Sequence, residues 1–376
     1  MSCSKNTLIN RGNKLTKFFG KLKIWQKAFL LLGVVAFFVL LFPTSGEWLG
    51  FVSQFANKVV GGLFSAIPFS VMTVAILLLP VFVALVIWRA IVNKKRKTLA
   101  KFFANCLAVL CAVYFLFACM LGLNYRKDSV YDKMGFAQTE INVASVANAS
   151  DYVIDVLNQC ADEILHYGGV DFDGFDRNVV LTAEYTKEKI TRLVNDEIEK
   201  QNFDFLYDFS AKPKYTFVPG ILSWMGFDGV YFPLFGELNI DSSIKTGNLA
   251  VLLTHETIHS KGILNEEQTE FLAQYICVHS DDIVLRYSGS YTATIYLLQN
   301  LKNADQTAFK SQLLKIKDEY LRQRISFVVG KEKKPGFLTN VANFFYDVYL
   351  KLNYVDGTNA YDNSINGWAR FCHTQG

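Results

Sequence analysis

The chain has 376 residues, of which 51% are hydrophobic and only 19% charged, and its formal net charge is +4. This length allows more than one domain, and this composition argues against a wholly soluble protein. Residues 1–27 hold seven basic residues and no acidic one. Because an apolar segment follows directly, we interpret this basic arm as the cytoplasmic flank of a membrane helix and expect no nucleic-acid partner.

Three apolar segments predict membrane-spanning helices, at about residues 28–43, 69–92 and 102–123, within a transmembrane region of residues 28–124. The basic run at 94–97 marks the connection between the last two as cytoplasmic. We therefore expect a multi-pass protein of the plasma membrane, with the lipid bilayer as partner, the N-terminus in the cytoplasm and residues 125–376 outside it. The first segment also resembles a signal peptide, but no small-residue cleavage site follows closely, which favours a retained anchor.

Residues 44–67, between the first two apolar segments, are mildly amphipathic. Apolar side chains recur there at near-helical spacing, at Trp48, Phe51, Phe55, Val59 and Leu63. A helix on the outer membrane surface and a helix packed against the soluble domain are equally compatible with this pattern.

Residues 125–376 contain no apolar run long enough to cross a membrane, so we expect a soluble domain there. Helical periodicity and capping residues predict helices over about residues 152–165, 182–205, 248–261, 291–303, 308–329 and 335–352, and one that begins at Asn265. Proline, glycine and aromatic residues between 215 and 240 are typical of short strands and turns. The expected fold class is α+β, mostly helical. One disulfide among Cys160, Cys277 and Cys372 is compatible with the sequence, which does not specify the pairing.

The motif His255-Glu256-Thr257-Ile258-His259 has the form HExxH. Two histidines four residues apart on a helix differ by roughly 40° around its axis, so both imidazoles face one side. This spacing suits two ligands of one tetrahedral Zn²⁺. The apolar residues 249–253 before the motif indicate a buried helix that is too short to span a membrane, and Gly262 is expected to break it.

An acidic cluster after this break supplies candidates for the third metal ligand. Glu266 and Glu270 are four residues apart and share one helix face. We favour Glu266, in the first turn of a helix whose capping box pairs Asn265 with Gln268, and we assign Glu270 to the second shell or to an alternative ligand role. Glu267 points roughly 100° away and is expected in solvent. An ordinary charged helix start stays open as the alternative for the whole cluster.

Glu256 lies next to the first candidate ligand and can reach a metal-bound water, which makes it the candidate general base. Tyr287 and His279 are the nearest downstream candidates for an oxyanion donor, although a packing or surface role is favoured for each. Pro233 removes a ladder donor, so the segment 229–240 suits an edge strand that pairs with an extended peptide. Its candidate substrate contacts are Tyr231, Phe232, Gly236, Glu237 and Asn239, and a plain core strand is equally compatible.

Several stretches share an order with a known family: Gly122–Arg126, Gly229–Asn239, His255–Gly262, Glu266–Ala273, Arg286–Gly289, Tyr349–Lys351, Asp356-Gly357 and Tyr361. Over nearly its whole length the chain resembles the bacterial membrane-protein family called domain of unknown function 3810. The resemblance implies a zincin fold of the gluzincin type and a zinc metallopeptidase-like activity. The first Glu of the family's acidic helix falls on Glu266. This chain has Gln268 and Glu270 where the family has a second Glu and an Asn, so the role of that Asn is not carried over.

These observations predict a membrane-anchored zinc metallopeptidase that hydrolyses a peptide or protein substrate outside the cell. The alternative is a non-catalytic zinc-containing extracellular sensor or scaffold, in which the metal holds two helices together. A transporter is disfavoured, because the apolar segments carry almost no cations.

Overall fold

Helices make up most of the chain, and within the described residues a three-stranded sheet accompanies them, which confirms the α+β, mostly helical fold class. The computed structural model describes residues 20, 22–42, 45–92, 96–166, 185–244, 246–330 and 364–375. The N-terminal helices are α1 (Ile24–Leu40), α2 (Ser45–Ser65), α3 (Val71–Val92) and α4 (Arg96–Phe117), and α4 continues into a π-helical turn at Ala118–Gly122. Then come α5 (Val130–Lys133), α6 (Val143–His166), α7 (Lys187–Gln201), β1 (Pro213–Tyr215), α8 (Ile221–Met225), β2 (Gly229–Phe232) and β3 (Glu237–Ile240). The last helices are α9 (Thr246–Ser260), α10 (Glu266–Val278), α11 (Ile283–Ala304), α12 (Gln306–Leu313), α13 (Glu319–Gly330) and α14 (Ser364–Gln375).

The predicted helix at 308–329 is wrong in one respect, because this stretch forms two helices, α12 and α13. Asp318 accepts a hydrogen bond from the Leu321 amide at 2.6 Å and holds the first turn of α13. Asn158 in α6 accepts another from the Lys317 amide at 2.9 Å and fixes the connection. The sequence did not predict α14. The predicted helix at 335–352, most of the basic arm and the motifs at 349–361 lie outside the described residues.

The apolar helices differ from the predicted three membrane spans. Among the described residues, only the segment Lys101–Gly122 is long and apolar enough to cross a membrane, with a mean hydropathy of 2.3. The apolar stretches Ile24–Leu40 and Val71–Val86 are shorter. Helix α1 ends three residues before Pro43, and Arg89 lies in the last turn of α3. The prediction is therefore corrected to one clear span candidate and two shorter apolar helices.

Helix α2 has two unlike faces. Its outer face exposes large apolar side chains, at Trp48, Phe51, Phe55, Val59 and Leu63. On its inner face Ser53 and Asn57 are fully buried. The Asn57 amide donates to the Met120 carbonyl at 3.3 Å, and Ser53 Oγ accepts from the Asn124 amide at 2.7 Å. The inner face therefore packs against the end of α4, while contact of the outer face with lipid stays a prediction.

Helix α2 and Asn124 also form hydrogen bonds with the C-terminal part of the chain. The Tyr207 hydroxyl lies 2.6 Å from Asn124 Oδ1 and 3.0 Å from the Gly50 carbonyl. The Lys214 ammonium donates to the Phe64 carbonyl at 2.8 Å. Hydrogen bonds thus cross the domain boundary that we expected after residue 124, and they attach α2 to the part of the chain that carries the sheet.

The sheet has the strand order β1-β3-β2, with β1 parallel and β2 antiparallel to the central strand β3. Strand β2 is an edge strand among the described strands, as predicted for its segment. Glu237 and Asn239 instead lie on the central strand, fully buried, so they are not on the edge that a peptide would meet.

Helix α10 lies between the two main hydrophobic cores. Phe271 packs in the first core, with α6, α11 and α14, and Leu272 packs in the second, with α7, α9 and the sheet. After its first turn α10 is buried on nearly all sides, including the polar side chains of Glu270 and Gln274. The position of its N-terminal acids is therefore fixed by two cores at once. Cys160, Cys277 and Cys372 are free thiols.

Asp241 anchors the connection beside β2, and its pKa gives a test of this part of the fold. Burial would raise the pKa of Asp241, but hydrogen bonds from Ser243, Gly220 and Ser223 lower it to about 2. A lowered pKa stabilises the fold above pH 4, and this contribution is lost as the pH falls towards 2. We expect Asp241→Asn to reduce the free energy of unfolding at pH 7 by about 1–3 kcal/mol.

The measurement is the denaturant midpoint of both proteins between pH 7 and pH 2. The difference should shrink as the pH falls, because the wild-type carboxylate becomes protonated. Asp228→Asn is the matched control, since Asp228 Oδ1 accepts only a Ser223 hydroxyl at 3.2 Å among the hydrogen bonds described for this side chain. A pH-independent difference for Asp241→Asn would contradict the assignment.

Candidate metal centre

The connection between α9 and α10 brings the candidate ligands together. Helix α9 ends at Ser260, and Gly262 follows with φ of +96°. A Cβ on Gly262 would lie 2.5 Å from the Tyr207 ring, so a larger residue does not fit this turn. Asn265 then caps α10 by accepting from the Gln268 amide at 3.1 Å. The predicted helix break and N-cap are both confirmed.

The reciprocal half of the predicted capping box is absent. The Gln268 side chain does not turn back to Asn265, because its Oε1 accepts from the Val130 amide at 2.8 Å instead. Glu267, which we expected in solvent, accepts from the Tyr131 hydroxyl at 3.1 Å and from the Asn366 amide at 2.9 Å. Both differences arise because α5 and α14 pack against the first turn of α10.

His255, His259 and Glu266 converge with one ligand atom from each within 4.8 Å of the others, and all three residues are buried. Nε2 of His255 lies 3.2 Å from Glu266 Oε2, and Nε2 of His259 lies 3.3 Å from the same oxygen. Ligands of a tetrahedral zinc, each about 2.0–2.1 Å from the metal, are about 3.3–3.4 Å apart. Both nitrogen–oxygen distances thus fit two edges of such a tetrahedron, and the donor set fits Zn²⁺.

The outer nitrogen of each imidazole has its own partner. Nδ1 of His259 lies 2.8 Å from the Ile263 carbonyl, which only accepts, so Nδ1 carries the proton and Nε2 offers its lone pair to the cluster. Nδ1 of His255 forms an ion-pair contact with Glu270 Oε2 at 2.9 Å. Glu270 therefore lies on the side of His255 that faces away from Glu266, which favours its second-shell role over the ligand role.

Two further residues support Glu270. The Gln274 amide donates to Glu270 Oε1 at 2.8 Å, and the Trp368 indole N–H donates to Gln274 Oε1 at 2.8 Å. Trp368 lies on α14 and is fully buried. Neither Gln274 nor Trp368 was predicted from the sequence as part of the site. The four-residue spacing of Glu270 and Gln274 was a signal for the first, but nothing in the sequence places the distant Trp368 beside α10.

The charges of the cluster are mutually stabilised. Burial alone would lower the pKa of His255, but the hydrogen bond to Glu266 and the nearby carboxylate of Glu270 raise it well above its usual value. Burial would raise the pKa of Glu266, but His259 and His255 lower it well below the usual range. Such a buried group of acids and imidazoles is compatible with a cation at its centre.

Glu256 faces the edge strand. Its Oε2 accepts a hydrogen bond from the Tyr231 backbone amide of β2 at 2.6 Å. Its Cγ lies 3.1 Å from the position that a Cβ on Gly229 would take, so the strand passes close to the side chain. Burial raises the pKa of Glu256, and the neighbouring His255 and His259 counteract this. A carboxylate with a raised pKa is a better proton acceptor.

Residues 50–366 match the model of the family described as "Protein of unknown function (DUF3810)". The chain belongs to this family. No curated protein and no solved structure matches the chain. The family match begins within α2 and extends past α13, so it contains both the apolar helices α3 and α4 and the whole metal cluster.

The remaining predicted site residues lie elsewhere. His279 is the C-cap of α10, about 20 Å along the helix from Glu266, and its Nε2 lies 3.0 Å from the Tyr152 hydroxyl. Tyr287 packs in the first hydrophobic core and stacks on Tyr291. Neither contacts the ligands through any hydrogen bond described, so the expectation of an oxyanion donor at these positions is not supported by their places in the fold.

Removing the indole donor should weaken metal binding without removing a ligand. We expect Trp368→Phe and Gln274→Leu each to lower the zinc affinity about tenfold, because Glu270 then holds His255 less firmly. Gln312→Leu is the matched control, since Gln312 is a buried glutamine whose amide donates to the Ala147 carbonyl in the first core. Competition with a chromophoric chelator measures the affinity. Equal affinities for all three variants and the wild type would contradict the supporting role.

Proposed function

We propose that this family member is a membrane-anchored zinc metallopeptidase of the gluzincin type that hydrolyses peptide bonds outside the cell. The observation that carries the proposal is the approach of His255 and His259 to one oxygen of Glu266, with Glu256 on the same helix turn. Two imidazoles and one carboxylate leave a fourth position on a tetrahedral zinc for water or substrate. This donor set is typical of catalytic rather than structural zinc sites.

The residues of the site divide the chemistry among them. Zinc supplies a Lewis acid that lowers the pKa of a water and polarises the scissile carbonyl. Glu256 accepts the proton of the attacking water and returns it to the departing amine nitrogen. Ile263 and Glu270 orient the imidazoles of His259 and His255. Strand β2 is a sheet edge next to Glu256, and an extended peptide can pair with it when Glu256 releases the Tyr231 amide to act as the base.

Exposed apolar surface supports the membrane anchor. Large apolar side chains face outward from α1, α3 and α4, among them Phe37, Phe38, Leu78, Phe82, Trp88, Phe103 and Leu110. Exposure of this kind is unfavourable in water and ordinary in lipid. We place α4 across the bilayer with its basic N-terminal end in the cytoplasm, so that the metal cluster lies outside. We place the shorter apolar stretches of α1 and α3 in the same apolar layer.

A non-catalytic zinc sensor or scaffold is the second candidate. It is favoured by the burial of the candidate ligands and the candidate base, since His255, Glu256, His259 and Glu266 are each at most 8% exposed. In this function the metal joins α9 to α10, and Glu256 only holds β2 through the Tyr231 amide. The two candidates differ in what Glu256 does.

The test uses the zinc-loaded full-length chain in detergent, because α2 is bonded to the C-terminal part. We expect one zinc per chain in the wild type and in Glu256→Gln, and none in His255→Ala. Peptidase activity on a peptide library should fall about 100- to 10,000-fold in Glu256→Gln. Glu267→Gln is the control, since Glu267 lies on the same turn as Glu266 but bonds to Tyr131 and Asn366. Stoichiometric zinc with no activity in the wild type would favour the sensor, and a wild type without zinc would contradict both candidates.

A further inference from the structure

The β2–β3 hairpin joins the metal site to the apolar helices. At one position of β2 the Tyr231 amide contacts Glu256 at 2.6 Å. The next residue, Phe232, packs its ring on Phe235 in the hairpin turn, with ring centroids 5.3 Å apart. Phe235 in turn packs on Phe64, in the last turn of α2, at 4.9 Å. Strand β2 and the end of α2 are therefore separated by one aromatic ring, that of Phe235 in the hairpin turn.

The β2–β3 hairpin packs closely against α2. A Cβ on Gly236 in the hairpin turn would lie 2.5 Å from the Cα of Gly61 in α2, so the two backbones touch and larger residues do not fit. The Tyr231 hydroxyl donates to Asn57 Oδ1 on the inner face of α2. Tyr231 thus contacts Glu256 through its backbone amide and α2 through its side chain. The position of the site relative to α2 is fixed by packing and not by a linker.

Glu237 connects the hairpin to a second helix, because it contacts the start of α3. Its carboxylate is 1% exposed, pairs with the Lys214 ammonium at 2.6 Å and accepts from the Val71 and Met72 amides at 3.2 and 3.1 Å. Amides in the first turn of a helix point back along its axis, so α3 runs away from the sheet at the hairpin end. From Leu77, which is about 9 Å along the axis from Val71, to Leu85 its large apolar side chains are exposed.

The outer face of α2 extends the same apolar surface towards the site. Trp48, Phe51, Phe55 and Leu63 are exposed on the helix whose inner face holds the hairpin. Both helices that contact the hairpin, α2 and α3, therefore carry exposed apolar side chains. A bilayer that surrounds the exposed part of α3 would therefore begin near the hairpin end of β2.

We infer that the substrates are polypeptides attached to the membrane and that the site cuts them close to the bilayer. A peptide that pairs with β2 takes the Tyr231 amide from Glu256, lies along the line from Glu256 to the hairpin turn and so leads towards the apolar layer. The step is hydrolysis: one water is consumed, the peptide C–N bond breaks, the acyl carbon gains the hydroxyl and the amine gains the proton. This inference rests on the proposed peptidase function and names the substrate class of the same site.

The test places two cleavable blocks on one substrate. An apolar segment of about 20 residues is followed by a randomised block, a Gly/Ser spacer of about 20 residues and a second randomised block. Substrate and zinc-loaded full-length protein are reconstituted together in vesicles of phosphatidylethanolamine and phosphatidylglycerol, and the cut bonds are mapped by mass spectrometry. Both blocks share one tether, so the higher local concentration that a membrane gives acts on both. A second substrate pool carries a polar segment in place of the apolar one.

We expect at least tenfold more cuts in the block next to the apolar segment, no such preference in the pool with the polar segment, and no cuts by Glu256→Gln. Equal cutting of the two blocks, or a preference for the distal block, would overturn the inference and leave the peptidase function standing. Failure of the wild type to cut either block in either pool would overturn the inference together with the peptidase function.

Discussion

The approach of two imidazoles to one carboxylate oxygen is the constraint on which the site depends. A shift of α10 by one residue would turn Glu266 by about 100° and remove it from the histidines. Gly262 and the Asn265 cap set this register, and two hydrophobic cores hold it on either side of α10. Buried charges are tolerated only with partners. The imidazoles and carboxylates of the cluster supply these partners for one another, and a bound cation would complete them.

The second constraint is the attachment of the sheet to the apolar helices. Tyr231 touches Glu256 through its backbone and Asn57 through its hydroxyl, and Glu237 holds the start of α3. The family match from residue 50 to residue 366 covers both sides of this attachment. Helices α2 and α3 thus contact the sheet that flanks the site, and hydrogen bonds cross the boundary expected after residue 124.

Local features of the site were predictable from the sequence because they depend on spacing within one helix or one turn. The HExxH spacing, the break at Gly262, the Asn265 cap and the position of Glu266 belong to this class. Contacts between distant segments were not predictable in this way. Trp368 supports Glu270 from α14, Gln268 bonds to α5, and Glu237 is on the central strand because β1 pairs beside it. The end of α3 at Val92 agrees with the predicted segment, but within the described residues only Lys101–Gly122 has an apolar stretch long enough to cross a membrane.

X-ray absorption at the zinc edge of the zinc-loaded full-length protein tests the central claim most directly. The account predicts a shell of nitrogen and oxygen ligands alone at about 2.0–2.1 Å, two of them imidazoles. In His259→Ala the imidazole contribution should fall or the zinc should be lost. Sulfur ligands at about 2.3 Å, or a spectrum that His259→Ala leaves unchanged, would show that zinc is bound elsewhere and would contradict the account.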